Sequence, residues 1–315
     1  MSARFLPLLA TCAIFVAAYA LAWMQYPNIL STRVIGNLLT DNAYLGIAAV
    51  GMTIVILSGG IDLSIGSVIA FSGVFIAVML RDTGLHPLAV FALLLALTTA
   101  FGLCMGALIH ALEMPAFIVT LAGMFMARGL AYVLSIDSVP IDDPFFDALS
   151  SSYYLLPGKG RFTLIAGIML LVVLAGSLLI HRTPFGTRVL AIGGDARTAG
   201  LLGVPVGRTI VAVYGISGFC AGLAGIVFAI YTSAGYSLAT VGTELTAIAA
   251  VVIGGISLFG GRGSILGMLF GALIVGVFGL GLRLIGTDPQ WTYLLIGVLI
   301  IAAVATDQWI RKVSG

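Results

Sequence analysis

Residues 43–80 read AYLGIAAVGMTIVILSGGIDLSIGSVIAFSGVFIAVML, a stretch whose single charged residue is Asp62. A helix that crosses a bilayer needs about 20 mostly apolar residues, and the runs 38–57 and 64–80 come close to that length. The glycine pair before Asp62 indicates a broken helix, which is tolerated at membrane depth only where it lines protein or water. The stretch therefore predicts two membrane helices with a break between them.

The whole chain has the composition of a membrane protein. Apolar residues make up 61% of its 315 residues and charged residues only 8%, against about 25% charged residues in soluble domains. The 41 glycines agree, because small residues let membrane helices approach closely. We predict an all-α polytopic protein of about ten spanning helices, forming one transmembrane domain over 1–315. The predicted spans are 5–24, 38–57, 64–80, 88–110, 115–135, 162–181, 209–231, 244–258, 264–282 and 291–309.

Several function classes are excluded by what the sequence lacks. The net charge is only +2 and no basic cluster occurs, so we expect no nucleic-acid partner. Cys12, Cys104 and Cys220 lie far apart in apolar stretches, which predicts packing and not a disulfide framework or a metal site. There is no catalytic triad, Walker lysine or nucleotide-binding glycine loop. We therefore expect no enzyme activity, metal or cofactor in this chain.

The distribution of Lys and Arg indicates which loops face the cytoplasm. The first run, 5–24, could pass for a signal peptide, but Leu21-Ala-Trp-Met-Gln is a poor cleavage site, so we predict a retained helix with a cytoplasmic N-terminus. The loop 182–208 is then cytoplasmic and the loop 136–161 periplasmic. The basic residues inside are Arg4, Arg182, Arg188, Arg197, Arg208, Arg262, Arg311 and Lys312. Those outside are Arg33, Arg81, Lys159, Arg161 and Arg283. With ten helices, the C-terminus is cytoplasmic as well.

Part of the loop predicted to be cytoplasmic, residues 193–205, indicates a short helix. Asp195 can cap its first turn, because a carboxylate accepts hydrogen bonds from the free N–H groups there. Gly203, with a proline two residues later, is a typical stop. Leu201 and Leu202 would be exposed on this helix, which fits either a docking surface or a solvated surface turn.

One local echo links two distant parts of the chain. Gly59-Gly-Ile follows an apolar run and precedes Gly66-Ser, and Gly254-Gly-Ile follows another run and precedes Gly263-Ser. Under the predicted topology both segments run in the same direction, which an inverted five-helix repeat would not produce. A true repeat and a chance similarity between glycine-rich segments are both open at this point.

Polar residues near the first break could line a solute pathway, because ionisable groups inside spanning segments usually face a cavity or a partner. The candidates are Asn37, Asp41, Asn42, Asp62 and Ser64. The alternative is that Asp62 caps the following helix at its cytoplasmic end. Arg128 and Glu244 are the other candidate buried charges, and a structural pair between them or with a neighbour is the default expectation.

Several ordered segments resemble the permease family of ribose-type ABC importers, and the resemblance covers nearly the whole chain. They are Gly59-Gly-Ile-Asp-Leu-Ser-Ile-Gly-Ser, Pro115-Ala-Phe-Ile-Val-Thr-Leu-Ala-Gly-Met, Phe185-Gly through Gly203-Val, and Ala247-Ile-Ala-Ala-Val-Val-Ile-Gly-Gly through Gly263-Ser. The segment Asn37-Leu-Leu-Thr-Asp-Asn-Ala-Tyr-Leu-Gly-Ile is most similar to one of the two permeases of the galactofuranose importer.

The resemblance implies an assembly in which this chain is a membrane subunit. Two permease chains form the pore, and in galactofuranose-type systems the second chain is not identical to the first. A cytoplasmic ATPase drives them, and a periplasmic sugar-binding protein delivers the substrate. The implied function is import of a monosaccharide across the bacterial inner membrane by alternating access, with ATP used only by the partner.

The resemblance also implies roles for individual residues. The short helix becomes a coupling helix that docks on the ATPase, through Gly194, Asp195, Arg197, Ala199, Leu201 and Gly203. The translocation pathway is assigned to Asn37, Asn42, Asp62, Ser64, Phe117 and Thr120. Three positions depart from the family pattern: Asp195 where Asn is frequent, Thr198 where Ala is frequent, and Thr246 where an acidic residue is frequent. The first two are expected to leave the coupling loop intact.

Two other functions fit the same sequence. One is an importer permease for another small polar solute, such as an amino acid or a nucleoside. The other is a secondary transporter that works alone on an ion gradient. Co-purification of an ATPase distinguishes the second from an importer, and the substrate spectrum of the binding protein distinguishes the first.

Overall fold

The computed structural model describes residues 6–284 together with Gly286, Trp291, Leu294, Gly297, Val298, Ile301 and Ala305. The N-terminal helices are α1 (Leu6–Gln25), α2 (Thr32–Asp41), α3 (Ala43–Leu57), α4 (Ile65–Thr83), α5 (Pro87–Ala111), α6 (Ala116–Leu134) and α7 (Pro144–Ser150), with a 3₁₀ turn at Pro27–Leu30. They are followed by α8 (Leu164–Arg182), α9 (Pro184–Gly194), α10 (Ala196–Leu201), α11 (Val206–Thr232), α12 (Thr243–Ile253) and α13 (Ile265–Leu284).

The membrane-spanning character predicted from composition is confirmed. Among the described helices, α4, α5, α6, α8, α11 and α13 are each long and apolar enough to cross a membrane. α2 and α3 together pass the same test but are bent by 51°. The chain is therefore an all-α polytopic membrane protein with six or seven such spans among the described residues. The total of ten spans and the position of the termini stay predictions, and the predicted span 291–309 lies mostly outside the described residues.

Two predicted spans are corrected by the structure. The span predicted at 38–57 begins at Thr32 and is divided at Asn42, where the bend between α2 and α3 falls. The span predicted at 244–258 ends at Ile253, because Gly255 takes a left-handed backbone conformation (φ 78°) that ends the helix.

The segment predicted as the loop 136–161 has structure of its own. It contains β1 (Val139–Pro140), α7, β2 (Tyr153–Leu156) and the start of β3 (Gly160–Thr163). β2 and β3 form an antiparallel hairpin, and β1 pairs antiparallel with β4 (Ala234–Gly235). The pairing of β1 with β4 ties this segment to the end of α11, a long-range contact that the local sequence did not indicate.

α11 lies at the centre of the core and packs against α5, α3 and α4. The approach of α5 and α11 depends on glycine, since methyl groups on Gly102 and Gly218 would overlap the carbonyl oxygens of Tyr214 and Thr98 on the opposite helix. Elsewhere α12 packs on α13, α4 on α6, and α3 on α8. This arrangement surrounds α3 and the break that follows it with protein on several sides.

Candidate functional site

The break after α3 is built from a specific helix ending. The N–H of Gly60 donates to the carbonyl of Val55 at 3.1 Å, and the N–H of Gly59 donates to the carbonyl of Ile56 at 2.9 Å. These two bonds are those of a Schellman motif, which requires a left-handed residue just after the helix. Gly59 occupies that position with φ 82°, so the break predicted from the glycine pair is confirmed.

The break after α12 ends its helix in the same way. The N–H of Ile256 donates to the carbonyl of Val251 at 3.3 Å, and that of Gly255 donates to Val252 at 2.9 Å. The left-handed residue is Gly255, the second glycine of its pair, whereas at the first break it is the first glycine. The two endings are alike, but the structural match is shifted by one residue from the sequence echo.

The two breaks touch each other. The N–H of Gly261, in the second break, donates to the carbonyl oxygen of Leu57 at 3.0 Å. This oxygen belongs to the last residue of α3, whose carbonyl has no partner within its own helix turn. A carbonyl oxygen left without a helix partner at the first break thus accepts a hydrogen bond from an N–H group in the second break.

Asp62, in the first break, is buried with 1% of its surface exposed, and its carboxylate accepts three hydrogen bonds. Oδ1 accepts from the backbone N–H of Ser64 at 2.9 Å and from its hydroxyl at 2.6 Å. Oδ2 accepts from the hydroxyl of Ser217 on α11 at 2.6 Å. A buried carboxylate needs such donors to offset its loss of water. The helix-cap interpretation is wrong in detail, because Ser64 is itself the N-cap residue of α4 and no side chain caps that helix.

The residue before Asp62, Ile61, is held by α11 and by a further helix, α6. The hydroxyl of Tyr214, on α11, donates to the carbonyl of Ile61 at 3.2 Å. The hydroxyl of Thr120, on α6, lies 3.4 Å from the same oxygen and also donates to Ala116 at 2.9 Å. The first break is thus surrounded by a buried polar cluster, which we call the Asp62 cluster: Asp62, Ser64, Thr120, Tyr214 and Ser217.

Three of the six predicted pathway residues meet in the Asp62 cluster and three do not. Asp62, Ser64 and Thr120 are brought together, as described above. Asn37 is exposed on α2, and Phe117 is 52% exposed on α6. Asn42 donates from Nδ2 to the carbonyl of Leu38 at 2.8 Å and packs against Gly276 of α13.

The expected pairing of Arg128 with Glu244 is replaced by contacts with backbone. Arg128 donates to the carbonyl oxygens of Ser237 and Ala239. Glu244 accepts from the N–H of Gly242 at 3.3 Å. Within the part of the chain that the structure describes, Arg81 and Asp82 are the one pair at salt-bridge distance. Arg128 and Glu244 are thus not at salt-bridge distance from each other, and the two backbone carbonyls supply hydrogen-bond acceptors to the half-buried guanidinium of Arg128.

The short helix predicted at 193–205 is confirmed as α10. Asp195 is its N-cap and accepts from the N–H of Thr198 at 2.8 Å. That hydrogen bond lowers the pKa of the exposed Asp195 carboxyl from its usual value. Gly203, with φ 83°, ends the helix in a third Schellman motif. The longer α9 that precedes α10 was not predicted, because Gly186 near its start and Gly193 and Gly194 at its end leave only a short apolar pattern between them.

The surface of α10 has an apolar tip. Leu201 and Leu202 are 83% and 80% exposed, whereas Ala199 is buried against the rest of the segment. Of the other residues assigned to coupling, Gly194, Asp195, Arg197 and Gly203 are all exposed. The exposed residues are therefore available to a partner, and Ala199 serves as the anchor of α10.

A basic cavity of about 670 Å³ lies between the end of α8 and α9, and its lining includes Val204, three residues after the end of α10. Its lining residues are His181, Arg182, Thr183, Pro184, Thr187, Arg188, Ala191 and Val204. No carboxylate lines it, so its charge is positive. No group of three residues suited to metal ligation occurs within the described residues.

The comparison with known protein families decides what this architecture belongs to. Residues 34–304 match the family described as "Branched-chain amino acid transport system / permease component". The chain belongs to this family of ABC-transporter permeases. The permease is a multi-span protein of the inner membrane, and it is not itself an ATPase.

Relatives of the permease match it over most of their length. The inner membrane ABC transporter permease protein YjfF of Escherichia coli is 53% identical over 309 residues, which are 98% of this chain and 93% of that protein. The fructose import permease protein FrcC of Rhizobium meliloti is 43% identical over 285 residues, which are 88% of this chain and 78% of that protein. The ribose import permease protein RbsC of Bacillus subtilis is 38% identical over 286 residues, which are 90% of this chain and 87% of that protein. No solved structure matches the chain.

Tyr214 and Ser217 are the members of the Asp62 cluster that sequence reasoning missed. A signal for them exists, since they stand three residues apart in the otherwise apolar run 209–231 and so share one helix face. A polar pair on one face of a buried membrane helix indicates a polar partner on a neighbouring helix. The sequence of the permease does not indicate that the partner is Asp62.

Proposed function

We propose that this permease carries a monosaccharide across the inner membrane as a membrane subunit of an ATP-driven importer. The observation that supports this most is its 43% and 38% identity, over most of its length, to permeases named for the import of fructose and ribose. Galactofuranose is the specific substrate that we propose, on the resemblance of the segment from Asn37 to Ile47. The whole chain, 1–315, acts as one transmembrane domain in this proposal.

The proposed assembly has three partners besides membrane lipid. They are a second, non-identical permease chain, a cytoplasmic ATPase and a periplasmic sugar-binding protein. The lack of a nucleotide-binding motif in the sequence supports an ATPase in a separate chain. Leu201 and Leu202 support docking at α10, because exposed neighbouring leucines on a short polar segment suit a partner groove.

The experiment that tests the function is reconstitution in liposomes with the ATPase, the second permease and the binding protein. We expect uptake of labelled galactofuranose that requires ATP and the binding protein, with less uptake of fructose and ribose. ATP-driven uptake of a branched-chain amino acid or a nucleoside, and not of a sugar, would show that the proposed substrate class is wrong. Uptake by this chain alone on an ion gradient would overturn the importer proposal.

The orientation that we propose places 182–208 in the cytoplasm and 136–161 in the periplasm. The bias of Arg and Lys supports it, and it puts α10 and the basic cavity on the side of the ATPase. We expect a reporter enzyme that is active only in the periplasm to be active when it is fused after Lys159. A fusion at this site with cytoplasmic activity alone would refute the orientation.

Docking at α10 is tested by Leu201→Glu. A carboxylate in an apolar contact would lose its water without gaining a partner, so we expect normal insertion but loss of ATP-driven uptake. Leu155→Glu is the matched control, because Leu155 is 61% exposed on the hairpin of the proposed periplasmic side. Equal uptake by the two variants would show that α10 is only a surface turn.

The proposed pathway passes the first break, close to the Asp62 cluster. Carboxylate and hydroxyl groups beside freed backbone groups can hydrogen-bond sugar hydroxyls in passing, provided that binding stays weak enough for release. Asn37, Asn42 and Phe117 also belong to the proposed pathway. We expect Asn42→Leu to slow uptake with the ATPase still bound, and an unchanged rate would show that Asn42 serves only to pack α2 and α3 on α13.

A further inference from the structure

The two helix breaks meet at a third backbone segment, the end of α9. A methyl group on Gly193 would overlap the carbonyl oxygen of Leu57 and lie 2.5 Å from the backbone nitrogen of Gly261. These are the two atoms joined by the 3.0 Å hydrogen bond between the breaks. Gly193 therefore lies directly against the bond that connects the first break to the second.

The surroundings of Gly193 consist of backbone. A methyl group on Gly260 would lie 2.8 Å from the nitrogen of Gly59 and 2.9 Å from the carbonyl oxygen of Gly193. We call Gly59, Gly193, Gly260 and Gly261 the glycine junction. Four glycines at one point leave no side chain to change rotamer, so a displacement of one segment moves the others by direct contact.

The glycine junction is close to α10 along the chain. Gly193 is followed by Gly194 and then by Asp195, the N-cap of α10. α10 also packs on α9 through space. A force applied to the exposed tip of α10 therefore reaches Gly193 through the short segment from Gly194 to Leu201, in which Ala199 is buried. From Gly193 it reaches the end of α3, five residues before Asp62.

We propose that Gly193 is a positioning residue that couples α10 to both helix breaks and so transmits the state of the ATPase to the pathway. This inference rests on the proposed function, because it gives α10 the docking role. It adds the route inside the membrane domain, which passes through backbone contact at the glycine junction. Side-chain contacts between α10 and the Asp62 cluster are not part of that route.

The test compares two glycines that differ in what an added methyl group would meet. A methyl group on Gly129, in α6, would have no heavy atom of the described residues within 4 Å, and neither Gly193 nor Gly129 has a positive φ. Alanine therefore needs no left-handed backbone at either position, and Gly129 belongs neither to α10 nor to the two breaks. Gly193→Ala must separate α9 from the breaks, whereas Gly129→Ala should leave transport unchanged.

Both variants are reconstituted with the full complex, and sugar uptake per ATP hydrolysed is measured. We expect Gly193→Ala to assemble and hydrolyse ATP but to transport at least about tenfold less sugar per ATP, with Gly129→Ala at the wild-type ratio. A wild-type ratio in Gly193→Ala would overturn the inference and leave the proposed function intact. Absence of ATP-driven uptake in the wild type would overturn the proposed function and the coupling role with it.

A measurement on the wild type covers the case in which Gly193→Ala fails to fold. Hydrogen exchange is followed at the amide of Gly261, which is bound to Leu57, in the complex with and without ATP. We expect its exchange rate to change several-fold when ATP binds, and to stay constant in the Leu201→Glu complex. An exchange rate in the wild type that is the same with and without ATP would overturn the inference.

Discussion

The helices before the two breaks, α3 and α12, end with the same hydrogen-bond pattern, but different contacts hold the two breaks in place. The break after α3 is fastened by side chains, since Asp62 binds Ser64 and Ser217 from the centre of the core. The break after α12 is held by close backbone packing, because a methyl group on Gly254 would lie 2.6 Å from the Cα atom of Met268 on α13. Although the two helices end alike, the first break is therefore held to α11 through the side chain of Asp62. The position of the second break depends instead on how closely α12 packs on α13.

Asp62→Leu should have the largest effect on this comparison. Its three donors would lose their acceptor inside the core, which costs about 3–5 kcal/mol in the free energy of unfolding. Thermal unfolding in detergent measures the loss, and uptake should be abolished. Asp82→Leu is the control, because Asp82 pairs with Arg81 at the surface, where solvent screens the pair, so its loss should hardly change the unfolding temperature. Similar unfolding temperatures for the two variants would show that the Asp62 cluster does not hold the first break.

Alanine at the leading glycine of each pair should destabilise the two breaks unequally. Gly254→Ala forces backbone of α12 and α13 apart, which costs about 2–3 kcal/mol. Gly59→Ala meets only the Cα atom of Gly193 at an ordinary 3.7 Å, so its cost is the left-handed conformation, about 1 kcal/mol. The comparison is made by unfolding in detergent, and a loss for Gly59→Ala as large as that for Gly254→Ala would contradict the predicted difference between the two breaks.

Ser217→Ala should have an intermediate effect that is confined to the first break. Removing one hydroxyl donor from a buried carboxylate costs about 1.5 kcal/mol. Ser72→Ala, on α4, removes a buried hydroxyl that donates only to the carbonyl of Val68 in its own helix, so about 0.5 kcal/mol is expected. Unfolding measurements on both variants test whether the link between Asp62 and α11 stabilises the fold. An equal loss in both would indicate that it does not.

The smallest effect concerns α10, whose N-cap residue, Asp195, stands two residues after Gly193 of the glycine junction. Because the pKa of Asp195 is lowered in the folded protein, its cap is fully present above the usual carboxyl pKa and is lost as the pH falls through the lowered value. The protection of the Thr198 amide from hydrogen exchange, relative to an unstructured peptide, should fall in that acid range. Asp195→Asn keeps an acceptor oxygen without a titrating group, so its protection should not follow the pH. Identical pH profiles would exclude Asp195 as the cause.

Features that depend on a few neighbouring residues could be predicted. The cap and stop of α10 lie within nine residues of each other, and the break after α3 follows from one glycine pair. Local hydrogen bonds and left-handed turns need no information from elsewhere in the chain, so residue types at short spacing are sufficient. The bend at Asn42 and the hairpin of β2 and β3 were not predicted, because both occur where helix and loop patterns compete over a few residues.

The sequence by itself determined that the chain is a membrane protein, that its structure is helical and that a break follows the glycine pair at Gly59 and Gly60. These properties follow from apolar run length and glycine placement, which act locally. Only the tertiary structure decided that Asp62 faces Ser217, a residue 155 positions away, and that Gly193 lies between the two breaks. Such contacts depend on how closely helices approach and in which rotation, and glycine permits many approaches without selecting one. The packing of the whole bundle selects it, and that packing is a property of all the helices together.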